Sequence, residues 1–196
     1  ETRYRCTGYK IDFENTQEGT SYTFTNVQAS HKIEFQWITQ YRITFSESGA
    51  EAGNSVTITV NGNPHSGTTM YAYSEWFDKD FSVTFSITDL IDSATSGKRY
   101  ALINWKNSVG SVVTSPQKIS SPNTFTAYYL TQCYLTVNIS PNDLSPQPSV
   151  FPPGPWYDVN TIVTLTAQSI DKYTFDHWSV DGTNQGNGIT SITVSM

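Results

Sequence analysis

One ring spacing occurs three times in this chain and limits what it can fold into more than any other feature. Tyr4-Arg-Cys6-Thr-Gly-Tyr9, Tyr100-Ala-Leu102-Ile-Asn-Trp105 and Tyr173-Thr-Phe175-Asp-His-Trp178 each set an apolar or thiol side chain two residues after a ring and a second ring five residues after it. Steps of two stay on one face of a strand, whereas a step of three changes face. The spacing predicts a repeated strand with a β-bulge between its second and third marked positions; the other reading is a strand with apolar side chains on both faces.

A second repetition concerns the joints. Ile33, Phe35 and Trp37 alternate with Glu34 and Gln36, which predicts a strand with one buried and one wet face. The same parity runs on through Tyr41, Ile43 and Phe45, and Phe125, Ala127 and Tyr129 likewise run into Cys133, Leu135 and Val137. Thr39-Gln40 and Thr131-Gln132 mark the two seams, 92 residues apart (132 − 40 = 92). No Gly, Ser or Pro lies between Trp37 and Phe45 or between Tyr129 and Val137, so neither seam reads as a flexible linker. The last strand of one module is expected to pass into the first strand of the next, giving a stiff, elongated array with modules at 1–39, 40–131 and 132–196.

Within the modules, Ser74-Glu-Trp76-Phe77-Asp78 returns as Gly154-Pro-Trp156-Tyr157-Asp158, followed in each case by Val-Thr and an apolar residue at Val83-Thr-Phe85 and Val163-Thr-Leu165. Ser55–Val60 alternates as a strand, Asn61-Gly-Asn-Pro reads as a turn and Thr68 to Tyr73 as the returning strand. Thr88-Asp-Leu-Ile-Asp-Ser suggests a single helical turn at most. The Pro-rich stretch from Ser140 through Pro148 to Pro155 excludes a central strand. The third module ends on Ile189-Thr-Ser-Ile-Thr-Val194 before any counterpart of the closing strand at Ile33 or Phe125, which predicts an unpaired edge open to a strand from elsewhere. The chain begins inside a repeat unit, as a processed form or a piece of a longer exported protein would.

Only 14% of residues are charged, and Ser, Thr, Asn, Tyr and Val abound, so strands are favoured over helices. The fold class expected is all-β, in tandem β-sandwich-like or β-grasp-like modules. A net charge of −6 without a Lys/Arg cluster argues against nucleic acid as a partner. No apolar run approaches the roughly 20 residues of a membrane span. Cys6 and Cys133 are the two cysteines; a disulfide between them would close a loop of about 127 residues, and the other reading is two thiols packed as small apolar groups.

Trp156-Tyr-Asp-Val-Asn-Thr-Ile-Val-Thr-Leu-Thr-Ala167, the Tyr173 to Gly182 strand and Ile189-Thr-Ser-Ile-Thr-Val194 together resemble the divergent internalin-B-type repeats of bacterial and archaeal surface proteins. Gln36-Trp-Ile-Thr-Gln-Tyr41 is similar to the joint of the archaeal versions. The resemblance covers the third module well and the first in part, while the middle one carries insertions. It implies a β-rich extracellular repeat in a stalk, adhesin or envelope layer, and no chemistry.

Catalytic motifs are missing: there is no His-Glu-x-x-His, Gly-x-Ser-x-Gly, phosphate-binding Gly-rich loop or Cys-x-x-Cys. His31, His65 and His177 occupy separate repeat positions without ligand spacing. Asp78, Asp80 and Asp158 are candidate calcium ligands, but calcium needs about six to eight oxygens, and capping of turns is their simpler use. Trp76, Phe77, Trp156 and Tyr157, with Tyr71 and Tyr73, offer a stacking surface for a glycan, against which stands the need of small modules for rings in their cores. Asn138-Ile-Ser140 is a glycosylation sequon. The expectation is a non-enzymatic, extracellular cell-surface protein without a cofactor, a spacer or a subunit of a filament or envelope lattice whose partners are itself or other surface subunits. The alternative is a glycan-binding adhesin segment facing surface polysaccharide.

Overall fold

A computed structural model describes every residue except Phe13 and Leu144, the latter within the Pro-rich stretch. Among the described residues there is no helix, and the chain is all-β. In chain order the strands are β1 (Thr2–Ile11), β2 (Ile33–Ser48), β3 (Ser55–Val60), β4 (Asn63–Thr68), β5 (Ala72–Asp78), β6 (Ser82–Val83), β7 (Phe85–Ile87), β8 (Leu90–Asp92), β9 (Lys98–Lys106), β10 (Val112–Val113), β11 (Gln117–Lys118), β12 (Asn123–Tyr134), β13 (Ser149–Phe151), β14 (Trp156–Asp158), β15 (Ile162–Thr166), β16 (His177–Val180), β17 (Thr183–Asn187) and β18 (Ser191–Ser195). The strand continuity read through the seams is realised in part: β2 and β12 each cross their Thr-Gln pair without a break, but β12 ends at Tyr134, so Leu135 and Val137 lie outside it.

Two compact units make up the chain. One comprises Glu1–Ser48, Ser55–Thr88 and Ile103–Tyr128; the other comprises Gly49–Asn54, Asp89–Leu102 and Tyr129–Met196. In the first, β1 pairs antiparallel with the early half of β2, β5 pairs antiparallel with its middle, and residues 123–128 of β12 run parallel to residues 43–48. A second sheet sets β3 between β4 and β7. Phe45, fully buried, is ringed by Phe77, Phe85, Trp105 and Phe125 at centroid distances of 5.5–6.5 Å. The second unit pairs β14 with residues 132–134 of β12, sets β15 between β13 and β18, and folds β16 and β17 into a hairpin. Its core gathers Tyr157, Val163, Leu165 and Trp178. Phe77, Val83 and Phe85 in one unit thus do the work of Tyr157, Val163 and Leu165 in the other.

In the first copy of the ring motif the change of face is a bulge, the register of β1 against β2 slipping between Cys6 and Gly8, and in the third a slip of β16 against β17 falls at Trp178, between His177 and Ser179. Gly8 has φ +151°, and a Cβ there would stand 2.1 Å from the Gln17 carbonyl oxygen, which accepts from the Tyr9 amide. Only glycine fits. Gly8→Ala is expected to cost about 1–3 kcal/mol, read as a lower denaturant midpoint with unchanged slope.

Several expectations are corrected. The strand returning from β3 is β4, starting at Asn63, because Asn61 and Gly62 both take positive φ (48° and 81°) and make a two-residue hairpin turn. Pro64 is tolerated because β4 is an edge strand. Residues 88–93 contain no helical turn; β8 pairs there with β9, Leu90 opposite Ala101. Nor is the odd face of the early half of β2 buried, since Phe35 is 38% and Trp37 63% exposed. Alternation marks the apolar face of a strand; here the Tyr9 ring packs edge-on to Phe35 at 6.2 Å, and Trp37 stays open. In the third copy of the ring motif the strand begins only at His177, and residues 173–176 lie outside any strand.

Candidate functional site

Register brings the polar residues of the repeats together. Arg3 stands opposite Gln40, and Gln40 stands opposite Asp78 on the other side of β2. Arg3 Nε donates to Gln40 Oε1 at 2.8 Å, and Gln40 Nε2 donates to Asp78 Oδ1 at 2.6 Å. Trp76, two residues before Asp78 and so on the same face, lies under the guanidinium, whose Cζ is 4.4 Å from the ring centroid. Arg5 Nη2 adds a bond to Asp78 Oδ2 at 2.9 Å. Gln40 is buried in the middle of this row.

The same row is built a second time in the other unit. Arg99 Nε donates to Gln132 Oε1 at 2.9 Å, Gln132 Nε2 donates to Asp158 Oδ1 at 2.9 Å, and Arg99 Cζ lies 4.2 Å from the Trp156 centroid. Flanking backbone bonds repeat as well: Lys79 N to Thr39 O matches Val159 N to Thr131 O, and Arg42 N to Glu1 O matches Tyr134 N to Gly97 O. A glutamine suits the central place because its amide oxygen accepts from the cation while its NH2 donates to the anion. The arrangement is a clasp of Arg, Gln, Asp and Trp across three strands. In each clasp the glutamine amide links the arginine to the aspartate.

The sequence marked Gln40, Gln132 and the Trp-x-Asp pairs but missed their cation. A signal was present, because a basic residue precedes the first ring in all three copies, as Arg3, Arg99 and Lys172. No Gln–Asp pair stands opposite Lys172 among the described residues.

The other candidates fall in separate places. Asp80 pairs with Lys118 at 3.0 Å, while Asp78 and Asp158 belong to the two clasps. Among the described residues no three His, Cys, Asp or Glu side chains gather as a metal cluster would require. Phe77 and Tyr157 are buried core rings rather than a stacking surface, and a guanidinium covers one face each of Trp76 and Trp156. Tyr73 is stacked on His65 at 3.5 Å, and Tyr71 is half-buried. Cys6 and Cys133 are free, half-buried thiols, and Asn138 is exposed. A shallow depression of about 280 Å³ lined by Glu1, Arg42, Thr44, Ser108 and Asn123 is polar, and Arg42 pairs with Glu1 at 3.1 Å inside it.

His31 Nδ1 lies 2.7 Å from Asp12 Oδ2 and His177 Nδ1 lies 2.9 Å from Asp176 Oδ2, so each of these histidines is engaged locally. The His31 bond, and next to it the Lys32 amide, hold the Asp12 carboxyl below its ordinary 3.8. A depressed carboxylate adds stability that is present above the unfolded value and lost as pH falls through the folded one. Asp12 should therefore titrate by carboxyl NMR with a midpoint below 3.8, and Asp12→Asn should remove this part of the acid-side loss.

Comparison with known proteins yields no match: no family model fits the chain, and no curated protein or solved structure is similar to it.

Proposed function

We propose that the chain is a non-enzymatic structural repeat protein of the cell surface, a spacer or a subunit of a filament or envelope lattice. The observation that supports this most is the recurrence of the clasp, in which the repeated Arg, Gln and Asp side chains bond to one another. A catalytic or binding centre serves one place, whereas a device built twice at equivalent seams serves a periodic structure. The resemblance to internalin-B-type repeats and the low charge content agree with an extracellular setting.

Antibody raised against the purified chain should label the outside of intact cells that produce it, and protease added to those cells should remove the label. Signal confined to permeabilised cells would overturn the surface assignment.

A further inference from the structure

Beyond the end of β12 the exposure of the chain still alternates residue by residue. Leu135 and Val137 pack against the core of Tyr157, Val163, Leu165 and Trp178, and Ile139 is half-buried, whereas Thr136, Asn138 and Ser140 are exposed. Side chains two apart in such an alternation share a side, so the Asn138 amide and the Ser140 hydroxyl are offered to solvent together. They are the first and third residues of Asn138-Ile-Ser140, the only Asn-x-Ser/Thr sequence in the chain.

Asparagines elsewhere in the fold are spent on the backbone. Asn61 Oδ1 accepts from the Thr84 amide at 3.0 Å, Asn107 Oδ1 from the Ser111 amide at 2.9 Å and Asn123 Oδ1 from the Ser108 amide at 3.0 Å, while Asn54 Nδ2 donates to the Glu51 carbonyl at 2.9 Å. These are the ordinary uses of asparagine in turns and at strand ends. Among the described residues no hydrogen bond ties the Asn138 side chain, so its nitrogen is accessible to a transferase.

We propose that Asn138 carries an N-linked glycan, which shields the proline-rich stretch that follows it. The inference rests on the extracellular setting of the reading above and adds a modified residue to it. The donor is an oligosaccharide held on a lipid phosphate. The Asn138 amide nitrogen bonds to the anomeric carbon of the sugar and gives up one proton; the bond from that carbon to the phosphate oxygen breaks, and the lipid phosphate leaves with the electron pair. Ser140 supplies the hydroxyl by which the acceptor is recognised.

The shielding follows from position. Residues 141–143 and 145–147 are exposed and belong to no strand, which is the kind of segment that proteases cut. A bulky, hydrated glycan just before them obstructs a protease, and it leaves the packed side of Leu135 and Val137 untouched.

Tandem mass spectrometry of the chymotryptic peptide that holds Asn138, taken from cells that produce the protein, should show a mass above that of the sequence and lose it as a series of sugar units. Asn138→Gln and Ser140→Ala should each abolish the added mass, and Ser140→Thr should keep it. These changes fall on exposed side chains, so circular dichroism should be unaltered. Under limited subtilisin digestion Asn138→Gln and Ser140→Ala should be cut in the proline-rich stretch several-fold faster than the parent, and Ser140→Thr should match the parent. An unmodified peptide from cells that label at the surface overturns the glycan and leaves the surface reading intact, whereas an unmodified peptide from cells that label only after permeabilisation overturns both. Added mass that survives Ser140→Ala overturns the assignment to this sequon. A glycosylated chain cut as fast as Asn138→Gln overturns the shielding.

Discussion

Phe45→Ala is expected to lower the unfolding free energy by about 3–5 kcal/mol, the largest loss of any single ring in the chain. The side chain has no solvent exposure, and four other rings enclose it from four different strands. Phe77, Phe85, Trp105 and Phe125 are each held by their own backbone pairing, so they cannot close over the void, and the cavity term adds to the lost transfer energy. Phe45→Leu keeps most of the volume and should cost less than half as much. Phe35→Ala is the control that gives the experiment its force. It sits on the same strand with the same parity, yet Phe35 is 38% exposed, so its loss should stay near about 1 kcal/mol or below. Urea titrations of the three variants, with hydrogen exchange locating the opened strands, check the ranking. Equal costs at positions 35 and 45 would contradict the open face on the early half of β2.

That contrast also marks how far the sequence could be read. Parity alone assigned the strand on either side of Gln40 and the one running up to Gln132, and the three-residue step in the first ring motif located a bulge, because both are consequences of backbone geometry at short range. Whether a marked face is covered depends on strands distant in sequence, which is why Phe35 and Trp37 read the same as Ile43 and Phe45 but differ in exposure. The short strand β8 looked like a helical turn for a related reason: three residues carry too little period, and their pairing with residues 99–101 decides the outcome. Gln40 and Asp78 were visible as repeated residues, but their bond runs across strands 38 residues apart, and the cation on β1 stands a further strand away. Repetition could still have revealed it. Arg3 and Arg99 hold the same place relative to their rings, and a repeated charge beside a repeated amide is a pairing signal that hydrophobic periodicity leaves out.

Substituting the central amide tests whether the clasp is a unit, and the sharpest substitution is Gln132→Glu. The two side chains have the same shape, but the carboxylate keeps only the acceptor for Arg99 and loses the donor to Asp158, leaving two carboxylate oxygens facing each other where an N–H now bridges 2.9 Å. One guanidinium must then serve two anions, because Ala101 stands where Arg5 supports Asp78 in the other clasp. Destabilisation of about 1–3 kcal/mol is expected at neutral pH, and less for Gln40→Glu, where Arg3 and Arg5 face the pair. The pH dependence has a definite sign. Repulsion raises the folded-state pKa of the new carboxyl above its unfolded value, so the penalty is present at neutral pH and fades as acid protonates the group and restores a donor. Gln132→Leu lacks that recovery, since no proton can return its hydrogen bonds. Thermal melts of the three variants from neutral to acid pH separate the cases, and a double-mutant cycle of Gln132→Leu with Arg99→Met should give a coupling of about 0.5–3 kcal/mol. Coupling near zero would mean that the recurring residues share a place without sharing an interaction, and the argument for a periodic structural device would lose its support.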